Sequence, residues 1–369
     1  MISFNMLVPE LDEFLTGLGG SKYLGAILGM FALSSLLVRP ISGKMTDSIG
    51  RVPVIIFGSI VNVAMSVLYL FIYSIPQFLG LRFAHGISAG FQPTGLMAYL
   101  ADVIPSEKRG EAMGLIGVFI SAGIAIGQPL GSGIANAYGV DVLFYSGIAF
   151  AFIAFAMVLF LKETLKEPKQ FKAKDLMIKS KDLFDRDVVF PFLIVLCMAF
   201  SYGDLLTIIP DYSTHMGIKN QGVFFSYFVF SSMFVRLVMG KVSDSLGRIK
   251  SLKIGGLITL IGMILFVFVD SKTSFFTIAT ILGIGAGVSS PTLIAYTVDL
   301  CKAENRGKAM STYFIGLEGG IALGAFLTGA FYNNVAENIQ IPIYLSLIAS
   351  ILAFVLLFIT KPFGISQTD

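Results

Sequence analysis

The chain has 369 residues, 55% of them hydrophobic and 13% charged. Soluble domains carry about 25% charged residues, so this composition excludes a soluble globular protein. The formal net charge of +3 says little by itself, and nothing in the sequence implies a nucleic-acid partner or a cofactor. The two cysteines, Cys197 and Cys301, lie far apart and argue against a disulfide or a metal site.

Successive apolar runs of about 20 residues match the length of a helix that crosses a bilayer core. In lipid, backbone groups must be satisfied internally, which selects helices over open strands. The runs predict helices near 24–43, 52–73, 76–103, 110–136 and 142–161, followed by a polar linker at 162–187. Further helices are expected near 188–210, 219–240, 251–269, 274–299, 307–332 and 340–360. Residues 1–13 read as the end of a first helix, closed at Val8-Pro9-Glu10. The corresponding run in the second half starts near Val188 and closes at Ile209-Pro210-Asp211. Only eight residues precede Pro9, so the first helix is expected to lack two or three turns: either the true start lies upstream of Met1, which is the favoured reading, or the chain is naturally short. A signal peptide fits poorly, because no basic segment precedes the run and no cleavage-type site follows it.

The chain is duplicated. Gly43-Lys44-Met45-Thr46-Asp47-Ser48-Ile49-Gly50-Arg51 returns 197 residues later as Gly240-Lys241-Val242-Ser243-Asp244-Ser245-Leu246-Gly247-Arg248. The same offset carries Arg39 onto Arg236, Tyr99 onto Tyr296, Asp102 onto Asp299 and Arg109-Gly110 onto Arg306-Gly307. Repeats of this kind define the architecture before any local argument. The expectation is an all-α membrane protein, a twelve-helix bundle of two parallel six-helix repeats with its first helix truncated. Its parts are the first half at 1–161, the linker at 162–187 and the second half at 188–369.

Most of the 26 Lys and Arg residues fall on one side of this arrangement, among them Lys44, Arg51, Arg109, Lys241, Arg248, Arg306 and Lys361. Only Lys22, Lys219 and Lys272 fall on the other. The positive-inside rule then places both repeated motifs, the linker and the C-terminus in the cytoplasm of a multi-pass inner or plasma membrane protein. Both repeats have the same orientation, as in parallel transporter repeats. The linker mixes basic and acidic residues and reads as a solvated tether, or as an amphipathic segment on the anionic inner leaflet.

The repeated motif has readable physics. Gly43 and Gly50 allow a tight turn and close helix approach. Asp47 is placed to accept hydrogen bonds from backbone amides at a neighbouring helix start, where the helix dipole favours an anion. Arg51 and Arg109 are placed to pair with Asp47 or Asp102. Gly240, Asp244, Gly247, Arg248, Asp299 and Arg306 double the set. The pattern suits a gate, and it also suits a static element that orders a loop.

Charged residues inside apolar runs are functional candidates by default. Arg82 lies in Arg82-Phe83-Ala84-His85-Gly86 and has Ala279 as its repeat counterpart, so its charge belongs to one half only; it either faces a cavity or snorkels to the interface. Glu318 lies eleven residues past Gly307, about 16 Å of helical rise, which is near mid-bilayer. It is the leading candidate for a proton site. Asp204 lies six residues before Pro210 and is placed to line a cavity mouth or to serve a structural role. Asn62, Gln92 and Gln128 offer hydrogen bonds, and Phe91, Phe119, Phe224, Phe225, Phe228 and Phe314 offer apolar lining. No nucleophile–base constellation or metal-ligand cluster supports an enzyme.

Two six-helix halves, a central linker and a Gly-x-x-x-Asp-x-x-Gly-Arg motif after the second helix of each half resemble the major facilitator superfamily. The likeness covers the chain apart from the truncated first helix. Met45, Thr46, Ser48 and Val52 depart from the family's more basic form of the motif. Gly123 to Ser132 is similar to the helix-five motif of proton-driven exporters, but Gln128 stands where a proline is expected and Pro129 is one place late. The resemblance implies a gate that closes the cytoplasmic side, a cavity-facing Arg82 and drug:proton antiport of small amphipathic compounds. It implies as partners a small-molecule substrate, protons and the bilayer, and a monomer is expected. The alternatives are uptake or facilitated diffusion by the same fold, and a non-transporting membrane sensor or binding protein.

Overall fold

A backbone with no water to turn to satisfies its amides along its own axis, and the chain is helical throughout its regular elements. The computed structural model describes residues 2–20, 23–172, 176, 178–218, 222–332 and 339–359. Lys22, Lys219, Lys361 and the C-terminus, which entered the reading of sidedness, lie outside the described residues.

In the first half, α1 (Ile2–Leu7) and α2 (Leu11–Gly17) are joined by a 3-10 turn at Val8–Glu10. They are followed by α3 (Leu24–Ser48), α4 (Arg51–Leu68), α5 (Ile75–Val103), α6 (Arg109–Tyr138) and α7 (Val140–Val158). The linker carries the one-turn α8 (Ser180–Leu183). The second half contains α9 (Val189–His215), α10 (Val223–Leu246), α11 (Arg248–Val267), α12 (Lys272–Leu300), α13 (Arg306–Tyr332) and α14 (Gln340–Ile359). With α1 and α2 taken as one interrupted helix, this is the expected twelve-helix layout. Among the described residues, eight helices are long and apolar enough to cross a membrane. α3 and α5 are also long, at 25 and 29 residues, but carry Arg39 and Arg82 within them.

Two expectations are corrected. Pro210 does not close its helix, which runs on to His215. At Pro9 α1 does end, at Leu7, but the chain continues through the 3-10 turn into α2 and stays helical to Gly17. A proline removes one amide donor, but its fixed φ is compatible with helix. The motif around Gly43 is also not a turn. α3 runs on through Gly43 and Asp47, and α10 through Gly240 and Asp244. The reversals are made by Gly50, at φ +139°, and Gly247, at φ +93°. That left-handed backbone suits glycine, which has no Cβ to clash.

The chain divides into two compact units. One comprises Met1–Val103, Phe119–Asp185 and Lys302–Ser311; the other comprises Ile104–Val118, Arg186–Cys301 and Thr312–Asp369. Each unit therefore takes in the opening of a helix, α13 or α6, that begins in the other half of the sequence. In the first unit α3 and α4 pack on α5, and α1 and α4 on α7. Its core holds Met6, Leu11, Leu15, Tyr69, Phe78 and Phe144. In the second, α10 and α11 pack on α12, and α9 and α11 on α14. Its core holds Ile208, Tyr212, Phe224, Phe266 and Phe275, and the Tyr212 and Phe275 rings stack 5.7 Å apart.

The duplication extends to single contacts. A Cβ on Gly86 would lie 2.2 Å from the Phe31 carbonyl oxygen, and one on Gly283 would lie 2.3 Å from that of Phe228. These two pairs are related by the repeat offset. Helix association in lipid depends on such close approach, because apolar burial gives little net drive there. The glycines of the exporter-like stretch serve the same end. Gly131 seats the Met6 carbonyl of α1, and Gly324, on α13, seats the Phe200 carbonyl of α9, each 2.1 Å from where a Cβ would stand. Gly324→Val is expected to lower stability by about 1–3 kcal/mol through overpacking. Thermal unfolding in detergent measures this, and a midpoint equal to that of the parent would mean that α9 and α13 can part at no cost.

Candidate functional site

The first turn of a helix leaves backbone amides with no partner inside the helix. Each unit has one such turn, hereafter its motif end, that is closed by an aspartate from the other half of the sequence. In the first unit, Asp47, in the last turn of α3, accepts from the Gly307 amide at 2.6 Å and the Lys308 amide at 2.7 Å, at the start of α13. In the second unit, Asp244 accepts from the Gly110 and Glu111 amides at 2.8 and 2.9 Å, at the start of α6. The two sets are related by the repeat offset with the roles of the halves exchanged.

Each aspartate is held by the arginine that opens the next helix. Arg51, almost fully buried, donates to Asp47 at 3.2 Å, to the Thr46 carbonyl at 2.6 Å and to Asp102 at 3.0 Å. It also reaches the Ala303 carbonyl at 3.0 Å. Asp102 receives Arg306, the first residue of α13, in a second ion pair. In the second unit Arg248 binds Asp244 and, at 2.8 Å, Asp299. Asp299 accepts from Arg109 at 2.7 Å. The sequence left Arg109 to pair with Asp47 or Asp102; it pairs with Asp299, in the opposite half. Every carboxylate in these chains thus has charged or amide donors, the condition under which a mostly buried charge is tolerable. Two glycines of the motif lie at the helix reversals, Gly50 and Gly247. Gly43 instead lets α3 approach α13, since a Cβ there would lie 2.6 Å from Ser311 Cβ. Gly240 lies within α10.

The sequence missed two members of the first set. Glu163, in the linker, accepts from the Arg51 and Val52 amides at 3.0 Å each and caps α4. Thr164 donates to Asp102 at 2.6 Å. No local signal marks either residue, because the cap forms between positions more than 110 residues apart.

The pathway candidates are divided between the two units. Arg82 and Asn62 belong to one buried cluster in the first unit. Arg82 is 1% exposed, so it does not snorkel. It donates to the Ile27 carbonyl at 2.9 Å and to the Tyr69 hydroxyl at 3.1 Å. Its guanidinium stands 4.7 Å from the centre of the Phe31 ring and 5.7 Å from that of Phe4, within cation–π range. His85 completes the cluster, 2.9 Å from Asn62 Oδ1. Asp204 lies in the second unit and is fully enclosed, with Thr328 of α13 and Ser346 of α14 donating to its two oxygens. It does not line a cavity mouth. Glu318 is half-buried on α13, and Gln128 is exposed on α6. Among the proposed lining rings, Phe224 is in the core, and Phe119 is 68% exposed.

A duplicated helical chain, with an aspartate of each repeat bound to a helix start of the other, is the architecture of a two-repeat membrane protein. The family profile described as Major Facilitator Superfamily matches residues 1–279 and 221–368, and the chain belongs to that family. It is similar to the multi-drug resistance efflux pump PmrA of Streptococcus pneumoniae serotype 4, at 29% identity over 78% of this chain and 75% of that protein. It is also similar to the quinolone resistance protein NorA of Staphylococcus aureus, at 22% identity over 98% and 93% of the two chains. The crystal structure of the human organic anion transporter MFSD10 (TETRAN) superposes with a TM-score of 0.80 over 96% of this chain and 95% of that one. At 18% identity, that likeness establishes the fold alone.

Asp47→Ala would strand two amides and remove one carboxylate from Arg51, at an expected cost of about 2–4 kcal/mol. Asp47→Asn keeps one acceptor oxygen and should cost about half as much. Thermal unfolding of the three proteins in detergent would reveal the graded order, and identical midpoints would mean that the carboxylate carries no tie.

Proposed function

We propose that this chain is a proton-coupled exporter of small amphipathic compounds that works by alternating access. Residues 1–161 and 188–369 act as the two rocking halves, joined by the 162–187 linker. The observation that carries this reading is the pair of reciprocal ties at the motif ends, Asp47 on the α13 start and Asp244 on the α6 start. Opening exchanges these bonds for bonds to water, and a protein hydrogen bond nets only about 0.5–1.5 kcal/mol over that exchange, so a closed and an open state can lie close in energy. Two states of near-equal energy shift about tenfold for 1.4 kcal/mol, so a proton or a solute that favours one of them redistributes the population. The multidrug efflux pumps among the relatives support the export direction.

The distribution of basic residues supports cytoplasmic motif ends, linker and C-terminus in a cell membrane, with the chain acting as a monomer among lipids and with no enzymatic step. The Asp47/Arg51/Asp102/Arg306 and Asp244/Arg248/Asp299/Arg109 sets, with Gly43, Gly50, Gly240 and Gly247 shaping their helices, form the gate on that side. Glu318 loads and releases the coupling proton. Asp204 supplies a second carboxyl that exchanges its proton through the Thr328 and Ser346 hydroxyls. Arg82 and Asn62 hold the polar group of a solute or tune the acid, and Gln128 offers a hydrogen bond along the path.

The test uses inverted membrane vesicles with an acid interior, challenged with amphipathic cations, organic anions and sugars. Solute-triggered proton release is expected from the parent and is expected to vanish in Glu318→Gln, with the variant protein still folded. Unchanged release in Glu318→Gln would remove that residue from the coupling step. Solute movement without any proton release would replace antiport with facilitated diffusion.

A further inference from the structure

Arg39 and Arg236 occupy the same place in the two repeats, yet they are used differently. Arg39 donates to the Thr94 hydroxyl at 2.9 Å and the Gly90 carbonyl at 3.4 Å, both on α5 of its own repeat. The position equivalent to Thr94 is Pro291 on α12, which has no hydroxyl to offer. Arg236 reaches across instead: its Nη1 donates to the Gly117 carbonyl of α6 at 2.9 Å. Gly117 is the residue that admits it. A Cβ there would lie 2.9 Å from Nη1 and 3.1 Å from Cδ of Arg236. Tyr202 and Tyr313 are close enough to interact electrostatically with the same guanidinium. Along α10, Arg236 is eight residues from Asp244, and along α6 Gly117 is seven from Gly110. Each separation is about 11 Å of helix. The pair α6 and α10 is therefore fastened twice, at its end by Asp244 and about two turns deeper by Arg236.

We infer that Arg236, seated on Gly117, is a second gate tie of the α6–α10 pair, which must release before the motif end can open to its full depth. The tie is charge-assisted and lies where little water competes, so it outweighs an ordinary surface contact. The first unit has a weaker tie between α13 and α3, in which the Ser311 hydroxyl donates to the Arg39 carbonyl at 2.7 Å. Arg236 is a positioning residue: it sets the balance between closed and open forms without touching the solute. The inference rests on the alternating-access reading above.

The experiment measures spin-label distances between Ser106→Cys and Lys250→Cys, exposed positions at the motif end, in full-length protein carrying Cys197→Ala and Cys301→Ala. Arg236→Met is expected to raise the long-distance population roughly tenfold. Arg236→Lys is expected to recover part of the closed population, because it keeps the charge. Gly117→Ala should shift the balance in the same direction as Arg236→Met. The double variant Arg236→Met/Gly117→Ala should go no further than Arg236→Met alone, because both changes remove one interaction. Asp244→Ala serves as the reference for opening. If it shifts the distances and Arg236→Met does not, or if the two changes at the tie add, the second tie is overturned. If no variant, Asp244→Ala included, shifts the distances, the alternating-access reading fails instead.

Discussion

A helix start offers four amides that nothing in the helix can satisfy, and this bundle depends on where they are satisfied. Asp47 and Asp244 supply carboxylates to the openings of α13 and α6, and in each case the aspartate and the amides come from opposite repeats. The dipole of each helix favours the anion, and the neighbouring arginine keeps it in place. The same geometry is used twice with the roles exchanged, so the α13 and α6 starts are each closed by the other half. The Arg51–Asp102–Arg306 and Arg248–Asp299–Arg109 chains extend the exchange. Each unit therefore holds the first turns of a helix whose remainder belongs elsewhere.

Much of this was legible in the sequence. One constant offset revealed the repeats, and the motif identified Asp47 and Arg51 as partners for a helix start. Distances between repeats are not encoded in any local spacing, which is why Arg109 was assigned to its own half and not to Asp299. The sequence offers Gly43 and Gly50 both a tight turn and a close helix approach without dividing the roles; the turn falls to Gly50 and the close approach to Gly43. Thr328 and Ser346 gave no signal, because a hydroxyl in an apolar run looks like ordinary packing until a carboxylate is found beside it. Glu163 and Thr164 were hidden for a different reason: a polar linker reads as solvated, and only the fold brings it onto Arg51 and Asp102.

The buried charges divide along the same line as the units. Arg82 is surrounded by neutral groups, namely a backbone carbonyl, the Tyr69 hydroxyl and two phenyl rings. Asp204 is enclosed by two hydroxyls. Removing such groups from water is costly, and hydrogen bonds and ring faces return part of that cost. Each is solvated by its own unit rather than by a fixed partner of opposite charge. None of the contacts given for either group is shared with the ties made by Asp47 and Asp244.

The linker start has a consequence for how the polypeptide can be divided. Glu163 caps the α4 start, Thr164 donates to Asp102, and the Lys169 amide donates to the Ser48 carbonyl at 2.8 Å, so the first stretch after α7 is bound rather than slack. A break placed at Leu161 would assign those residues to the wrong fragment and leave the α4 start uncapped. A break beyond Lys172 would keep them with the helices they serve. Two separately made fragments divided there would each carry their own half of the reciprocal ties, and those ties would act as the addresses by which the fragments find one another.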